Sequence, residues 1–200
     1  MNEARGQSRT IRNTLSINIV VCIVYFLGGK LGLELHGVET GAPLVWLPTG
    51  IAVAAIFRFG NSALPGIVIG AIAIVGTQLP SSYTVSTIFG LVLQIAAGPL
   101  QALIGAYLLK RFTDREKLLL SFKSLFVFVL GCSLISSTFS AALGTSSIIL
   151  QGIIPSSIAL PVWFNWWIAD ALGVMVAAPL LLMLESRWRR LISSPKLAAE

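Results

Sequence analysis

The stretch Trp163-Phe164-Asn165-Trp166-Trp167-Ile168-Ala169-Asp170-Ala171-Leu172-Gly173-Val174 lies in an apolar segment that runs from about Ile158 to Leu184. It places a single acid, Asp170, among aromatic and small apolar residues, inside a segment long enough to cross ~30 Å of hydrocarbon. A charged side chain at the centre of a membrane helix costs roughly 2.5–3.5 kcal/mol on insertion scales. We therefore expect Asp170 to have a partner or a function inside a helical bundle.

The whole chain has the composition of an integral membrane protein. Of its 200 residues, 56% are hydrophobic and 11% are charged, whereas a typical soluble domain has about 25% charged residues. Apolar runs of 18 or more residues recur, and the ~10-residue alternating segments of a β-barrel are absent from the sequence. The predicted fold class is an all-α integral membrane protein, a bundle of about six transmembrane helices.

The apolar segments predict one transmembrane domain, residues 14–184, between a polar segment 1–13 and a basic tail 185–200. The first helix follows basic residues, but we interpret it as retained rather than as a signal peptide, because it continues past Gly32 without a small-residue cleavage pattern. The stretch Gly144–Ser157 is polar and uncharged, which predicts a flexible outer loop. The predicted helices cover about residues 14–35, 43–59, 63–79, 85–109, 121–143 and 158–184.

The positions of the basic residues predict the orientation. Cytoplasmic loops of membrane proteins collect Lys and Arg, and with six spans every basic residue except Lys30 falls on one side. Both termini are then cytoplasmic, and the net charge of +6 reflects contact with anionic lipid rather than nucleic-acid binding. The residues on this side are Arg5, Arg9, Arg12, Arg58, Lys110, Arg111, Arg115, Lys117, Lys123, Arg187, Arg189, Arg190 and Lys196.

Three ionisable residues are predicted to lie in the outer half of the membrane. Lys30 is about 16 residues, or ~24 Å, from the inner end of the first helix, and Asp170 is ~15 Å below the outer end of the sixth. Glu34 follows Lys30 by one helical turn on the same face. Two interpretations remain open: a polar cavity open to the outside, or an ion pair of Lys30 with Asp170. In either case the groups should face the bundle interior.

The segment Trp46-Leu47-Pro48-Thr49-Gly50 opens the second helix. Pro48 removes a backbone donor and either starts or bends this helix, and Gly50 permits close approach of another helix. A helix start alone would explain the pattern. We nevertheless include Trp46 and Pro48 among the candidates for a binding site.

Further candidates lie in the fourth and sixth helices. Trp166 and Trp167 point about 100° apart, so we do not expect both to face one partner. Asn165 is a candidate polar group of the cavity. Gln94 and Gln101 share one face of the fourth helix, where helix–helix hydrogen bonds are the simpler interpretation.

The sequence contains no arrangement typical of catalysis or of a metal site. Cys22 and Cys132 lie inside apolar runs and His36 is the only histidine, which argues against disulfides and metal ligation. No phosphate loop or nucleophile–base motif occurs. We expect no enzyme activity, no cofactor and no metal. The spaced pairs Gly28/Gly32 and Gly66/Gly70 are typical of close helix packing.

Several short segments follow one another in a defined order over most of residues 25–184. They are Lys30-Leu31-Gly32-Leu33, Val45-Trp46-Leu47-Pro48-Thr49-Gly50-Ile51-Ala52, Leu64-Pro65-Gly66-Ile67 with Gly70-Ala71, Gln101-Ala102-Leu103-Ile104-Gly105-Ala106-Tyr107-Leu108-Leu109-Lys110-Arg111, and Trp166-Trp167-Ile168-Ala169-Asp170-Ala171-Leu172-Gly173-Val174 with Ala178-Pro179-Leu180. Together this ordered set resembles the MASE1 family of bacterial integral membrane sensory domains.

The resemblance implies the input module of a signalling protein in the bacterial inner membrane, with a histidine kinase or diguanylate cyclase as cytoplasmic output domain. Members of the family usually have about eight spans, so the six spans here are expected to be the first part of the module or a shortened form. Many members carry an acid where this chain has Gln101. The expected partners are the lipid bilayer, a second copy of the chain, and a membrane protein or a small ligand, which would be an anion if Lys30 is charged.

Two other classes of function remain as alternatives. A small-molecule permease or a substrate-binding membrane subunit would also have six spans and a central polar site, although we see no convincing internal repeat between residues 14–79 and 85–184. A membrane enzyme acting on lipid has less support, because Asp170 lacks an obvious second catalytic group.

Overall fold

A computed structural model of the chain describes residues 2–35, 43–80, 82–113 and 120–193, with side chains described for 13–35, 43–80, 82–113 and 120–183. Within these ranges the regular structure is helical and contains no β-strand. The described residues thus confirm the all-α fold class. The segment 36–42 between the first two predicted helices, with His36, and half of the charged segment 110–117 lie outside them.

The described helices follow the order of the predicted spans. Five stretches are long and apolar enough to cross a membrane: Asn13–Glu34, Leu47–Gly76, Val85–Phe112, Phe122–Leu150 and Ser156–Met183. The elements are α1 (Asn2–Glu34), α2 (Leu47–Phe59), α3 (Leu64–Gly76), α4 (Val85–Phe112), α5 (Phe122–Phe126), a π-helical segment (Val127–Ile135), α6 (Ser136–Leu150) and α7 (Ala159–Ser193).

The stretch Leu47–Gly76 is a hairpin of two short helices. A single 3₁₀ turn, Gly60–Ala63, separates α2 from α3, and Gly60 has a φ of 71°, a conformation that glycine adopts at little cost. Gly28 of α1 packs against the start of α2, whereas Gly66 and Gly70 of α3 pack against Asn18 and Tyr25 of α1. Because α1 meets α2 in antiparallel and α3 in parallel orientation, the chain reverses direction at Gly60.

Asn18 holds this hairpin to α1. Its Oδ1 accepts a hydrogen bond from the Gly66 N–H at 2.6 Å, and its Nδ2 donates to the Ser62 carbonyl at 2.8 Å. The first N–H groups of a helix have no partner within the helix. The Asn18 side chain therefore supplies the N-terminus of α3 with a partner from another element, which fixes the height of the α2–α3 turn along α1.

The second half of the bundle is built from α4, α6 and α7. Gly90 of α4 packs against Ser147 and Gly105 against Cys132, so α4 is antiparallel to the stretch from α5 to α6. At the basic end of the bundle, Lys110 donates a hydrogen bond to the Ile56 carbonyl of α2 at 2.7 Å. These contacts confirm the close packing at Gly28/Gly32 and Gly66/Gly70 and extend it to α4.

Two predicted boundaries are wrong. The chain from Gly144 to Leu150 is not a loop but the C-terminal half of α6, because Gly144 and Ser147 are buried against neighbouring helices. The second helix begins at Leu47 rather than at Pro43, because the Trp46 N–H is bonded to a carbonyl of α7 instead of entering the helix. In both places a tertiary contact decided the local structure.

The packing of α3 on α1 yields a testable prediction. A Cβ at Gly66 would come within 2.9 Å of the Asn18 Cα, so Gly66→Ala should force the two helices apart and lower the free energy of unfolding by about 1–3 kcal/mol. Gly76→Ala in the same helix is the matched control, because a Cβ there meets nothing within 4 Å. Denaturant titration in micelles measures both variants, and equal stability of the two would contradict the packing described here.

Candidate functional site: the buried polar core around Asp170

The segment that opens α2 lies directly against the segment of α7 that carries Asp170. The Trp46 N–H donates to the Ala169 carbonyl at 2.9 Å. The Thr49 hydroxyl lies 2.7 Å from the Trp46 carbonyl and 3.1 Å from the Asp170 carbonyl. The start of α2 is thus joined by hydrogen bonds to the backbone of α7 at Asp170 and at the residue before it.

Two glycines allow this close approach. A Cβ at Gly173 would overlap the Trp46 carbonyl, and a Cβ at Gly50 would overlap the Gly173 carbonyl. Pro48, at the second position of α2, is fully buried beside them. The Trp46 ring packs on the other side against Gly32 of α1. The predicted close approach at Gly50 is therefore confirmed, and its partner is α7.

Asp170 itself is 0% exposed. Neither of its carboxylate oxygens has a hydrogen-bond partner within the described part of the chain. The Ser140 hydroxyl of α6 lies beside the carboxyl, and the Tyr25 phenol of α1 is within electrostatic range of it. The carboxyl therefore lies at the meeting point of α1, α6 and α7, inside the bundle and away from lipid.

The predicted ion pair between Lys30 and Asp170 is absent from this structure, because both Asp170 oxygens lack a described partner. Lys30 is half-buried on the face of α1 that also carries Phe26 and Leu33, and these two pack against the apolar core. Glu34 is exposed. The structure therefore does not bring these two α1 residues into the polar core with Asp170.

Gln101 of α4 is fully buried and belongs to the polar core. Its Nε2 donates to the Ser137 hydroxyl at 2.9 Å, while its Oε1 has no partner among the described residues. Gln94, seven residues earlier, accepts a hydrogen bond from Gln151 at 3.1 Å. The predicted helix–helix hydrogen bonds of both glutamines are confirmed, and Gln101 also presents an unpaired oxygen.

A π-helical segment forms the part of the polar core that contacts both α4 and α7. Within Val127–Ile135, Cys132 packs against Gly105 of α4, and the Ser133 hydroxyl donates to the Ala171 carbonyl at 2.9 Å. π-helical turns inside α-helices are rare and occur frequently at functional sites. Here the segment places Ser133 against α7 one residue beyond Asp170.

The tryptophans of α7 cover another side of the polar core. Trp166 packs against Gly144, and Trp167 donates its ring N–H to the Leu134 carbonyl at 2.9 Å while stacking on Trp163. Both rings contact the stretch from the π-helical segment to α6, so the prediction that they would not share a partner is wrong. They reach it at two different heights. Asn165 is exposed and does not belong to the core.

The outward-opening cavity expected from the sequence is closed at the level of Asp170 and Gln101, which are both fully buried. Sequence reasoning also missed a row of serines on one face of the fifth predicted span. These serines are three and four residues apart, which is the spacing of one helix face. A search of the apolar segments for polar residues at this spacing would have identified them. These buried residues are Ser133, Ser136, Ser137 and Ser140.

The contact between α2 and α7 yields a second prediction. Thr49→Val keeps the shape of a fully buried side chain but removes its bonds to two carbonyl oxygens, so the free energy of unfolding should fall by about 1–2 kcal/mol. Thr138→Val is the control, because Thr138 is exposed and its hydroxyl bonds only within its own helical stretch. Unfolding in micelles measures both, and a Thr138→Val effect as large as that of Thr49→Val would contradict the role of Thr49.

Comparison with protein families gives a match to MASE1 over residues 17–199. No curated protein and no solved structure gives a match to the chain. The matched range includes every element described above from the middle of α1 to the end of α7. The chain belongs to the MASE1 family, whose members are membrane-integral sensory domains of signalling proteins.

Proposed function

We propose that this chain is the input module of a bacterial inner-membrane signalling protein and that the polar core around Asp170 is its sensing element. A cytoplasmic output domain of histidine kinase or diguanylate cyclase type would receive the signal, and a second copy of the chain would complete a homodimer. The observation that carries the proposal is Asp170, a carboxyl with no exposure and no described partner in a sensory-domain fold. An ionisable group inside a membrane domain is a functional-site hypothesis by default. Family membership favours this function over a permease.

We further propose six membrane crossings with both termini in the cytoplasm. The α2–α3 hairpin turns at the end of the bundle that also carries Arg58 and Lys110. Each arm of the hairpin has 13 residues, or ~20 Å of helix, and the flanking residues extend its reach. Because cytoplasmic loops collect basic residues, the end with Arg58 and Lys110 is the cytoplasmic one.

The transmission of a signal follows from the position of Asp170 in α7. This helix is continuous from Ala159 to Ser193 and leads from the polar core to the basic end. A stimulus can change the output only if it binds two arrangements of the bundle with different affinity. In our proposal the two arrangements differ in the contact of Trp46 and Thr49 with α7. This contact is formed in the structure described here, and it would be broken in the second arrangement.

The topology is tested by cysteine labelling in a chain whose two native cysteines are replaced by alanine. We expect a membrane-impermeant maleimide to label Ser156→Cys from the outside of intact cells, and Ser62→Cys only in inverted vesicles, because the two positions lie at opposite ends of the bundle. Both side chains are exposed, so burial does not limit labelling. Labelling of both positions from the same side would contradict six crossings.

The sensing role is tested with Asp170→Asn in the full signalling protein, with kinase or cyclase output as the readout. Replacing a fully buried ionisable carboxyl by an amide, which does not take up or release a proton, should shift the basal output at least severalfold, since it changes the relative stability of the two arrangements. Glu34→Gln is the control, an acid-to-amide change at an exposed position, and should leave the output unchanged. Wild-type output from correctly inserted Asp170→Asn protein would refute the proposed role.

A further inference from the structure

The polar core is rich in hydrogen-bond acceptors and poor in donors. The hydroxyls of Thr49, Ser133 and Ser137 all donate to backbone carbonyls, at 3.1, 2.9 and 2.7 Å for the Asp170, Ala171 and Ser133 oxygens. The amide N–H₂ of Gln101 donates to Ser137. These donors are therefore oriented away from the Asp170 carboxyl, although they lie on the elements that surround it.

Three fully buried oxygens lack a partner among the residues described for this core, namely both carboxylate oxygens of Asp170 and Oε1 of Gln101. They border the same face of α6. Gln101 contacts Ser137, and Ser140, one turn later, lies beside Asp170. The hydroxyl oxygens of Ser140 and Tyr25 add two further oxygens at this level.

The hydroxyls that the structure places beside the carboxyl, those of Ser140 and Tyr25, are neutral donors and do not compensate a buried negative charge. A buried carboxylate that is neither paired nor hydrogen-bonded would be strongly destabilising, so its charge should be neutralised. No described cationic side chain pairs with Asp170. Among the elements packed around it, the described titratable groups near this level are Tyr25 and Lys30 of α1 and Cys132 of the π-helical segment. Lys30 is the one cation of the three, and neither Asp170 oxygen has a hydrogen bond to it.

We propose that Asp170, Gln101, Ser140 and Tyr25 form a binding site for one monovalent cation, either a proton or Na⁺. With a proton, the Asp170 carboxyl becomes a donor for the unpaired Gln101 oxygen. With Na⁺, the same oxygens act as ligands of the kind that hard cations prefer. A single positive charge makes the site neutral, whereas a divalent cation would leave a buried charge.

This inference deepens the proposed function by naming the ligand class of its sensing element. The test measures binding on the chain itself in lipid nanodiscs, without an output domain, so a failure to signal and a failure to bind are distinguishable. Infrared difference spectroscopy detects the C=O stretch of a protonated carboxylic acid. Spectra are recorded as a function of pH in two buffers of equal ionic strength, one containing choline chloride and the other NaCl.

If the site binds a proton, we expect a C=O band at neutral pH in choline chloride that is lost in Asp170→Asn and unchanged in Lys30→Met. If the site also binds Na⁺, replacing choline chloride by NaCl should displace the proton, so that the C=O band disappears or the carboxylate band of Asp170 shifts. The inference is overturned if the wild type shows no Asp170-dependent C=O band at neutral pH and no response to NaCl, because the acid would then be ionised without a bound cation.

Gln101→Leu provides an independent variant in case Asp170→Asn does not fold. It removes one acceptor of the site and should lower the affinity for the proton or Na⁺ about tenfold. Gln94→Leu is the matched control, since Gln94 lies on the same helix and its oxygen is already paired with Gln151. Equal proton and Na⁺ affinities in the wild type and in Gln101→Leu would also overturn the assignment.

Discussion

The fold depends on how a carboxyl group is kept away from lipid without a cationic partner. Asp170 is fully buried, and the Ser140 hydroxyl of α6 and the Tyr25 phenol of α1 lie near its carboxyl. Serines on α6 and glycines on α2, α4 and α7 bring the helix backbones close together around it. The carboxyl is therefore placed by backbone packing, which leaves its own oxygens free to bind something else.

The contact between α2 and α7 shows how this placement is achieved. Hydrogen bonds from Trp46 and Thr49 reach the carbonyls of Ala169 and Asp170, the residue before the acid and the acid itself. Gly50 and Gly173 remove the side chains that would otherwise separate the two helices. Because the bonds involve the backbone of the acidic segment, they set the height of Asp170 in the bundle without using its carboxyl group.

Much of this architecture is readable from the sequence. Hydropathy identifies the apolar stretches, and these must be helical because in lipid the backbone has to satisfy its hydrogen bonds within the segment. The glycine pairs indicate helix contacts, and Gln101 and Asp170 stand out because polar residues are costly in apolar segments. The sequence therefore gives the elements and two of the core residues, Gln101 and Asp170.

What the sequence does not show depends on contacts between distant residues. An ion pair of Lys30 with Asp170 was one of two interpretations, based on charge and height, but the structure places Tyr25 of α1 near the carboxyl and shows no hydrogen bond from Lys30 to it. The C-terminal half of α6 was predicted as a loop from its Gly, Thr and Ser content. It is helical, and Gly144 is required there because the Trp166 ring occupies the space of a side chain. Such contacts between different helices leave little signal in one sequence.

The path from the core to the basic end contains one weak point. Pro179 lies inside α7, nine residues beyond Asp170, and its ring cannot donate a backbone hydrogen bond. Proline positions are where long helices bend most readily. The segment of α7 before Pro179 is bonded to α2, and the segment after it is connected to this contact through the proline. Neutralising or charging Asp170 would then alter the α2–α7 contact on one side of Pro179, and the bend would convert this into a displacement of the basic end.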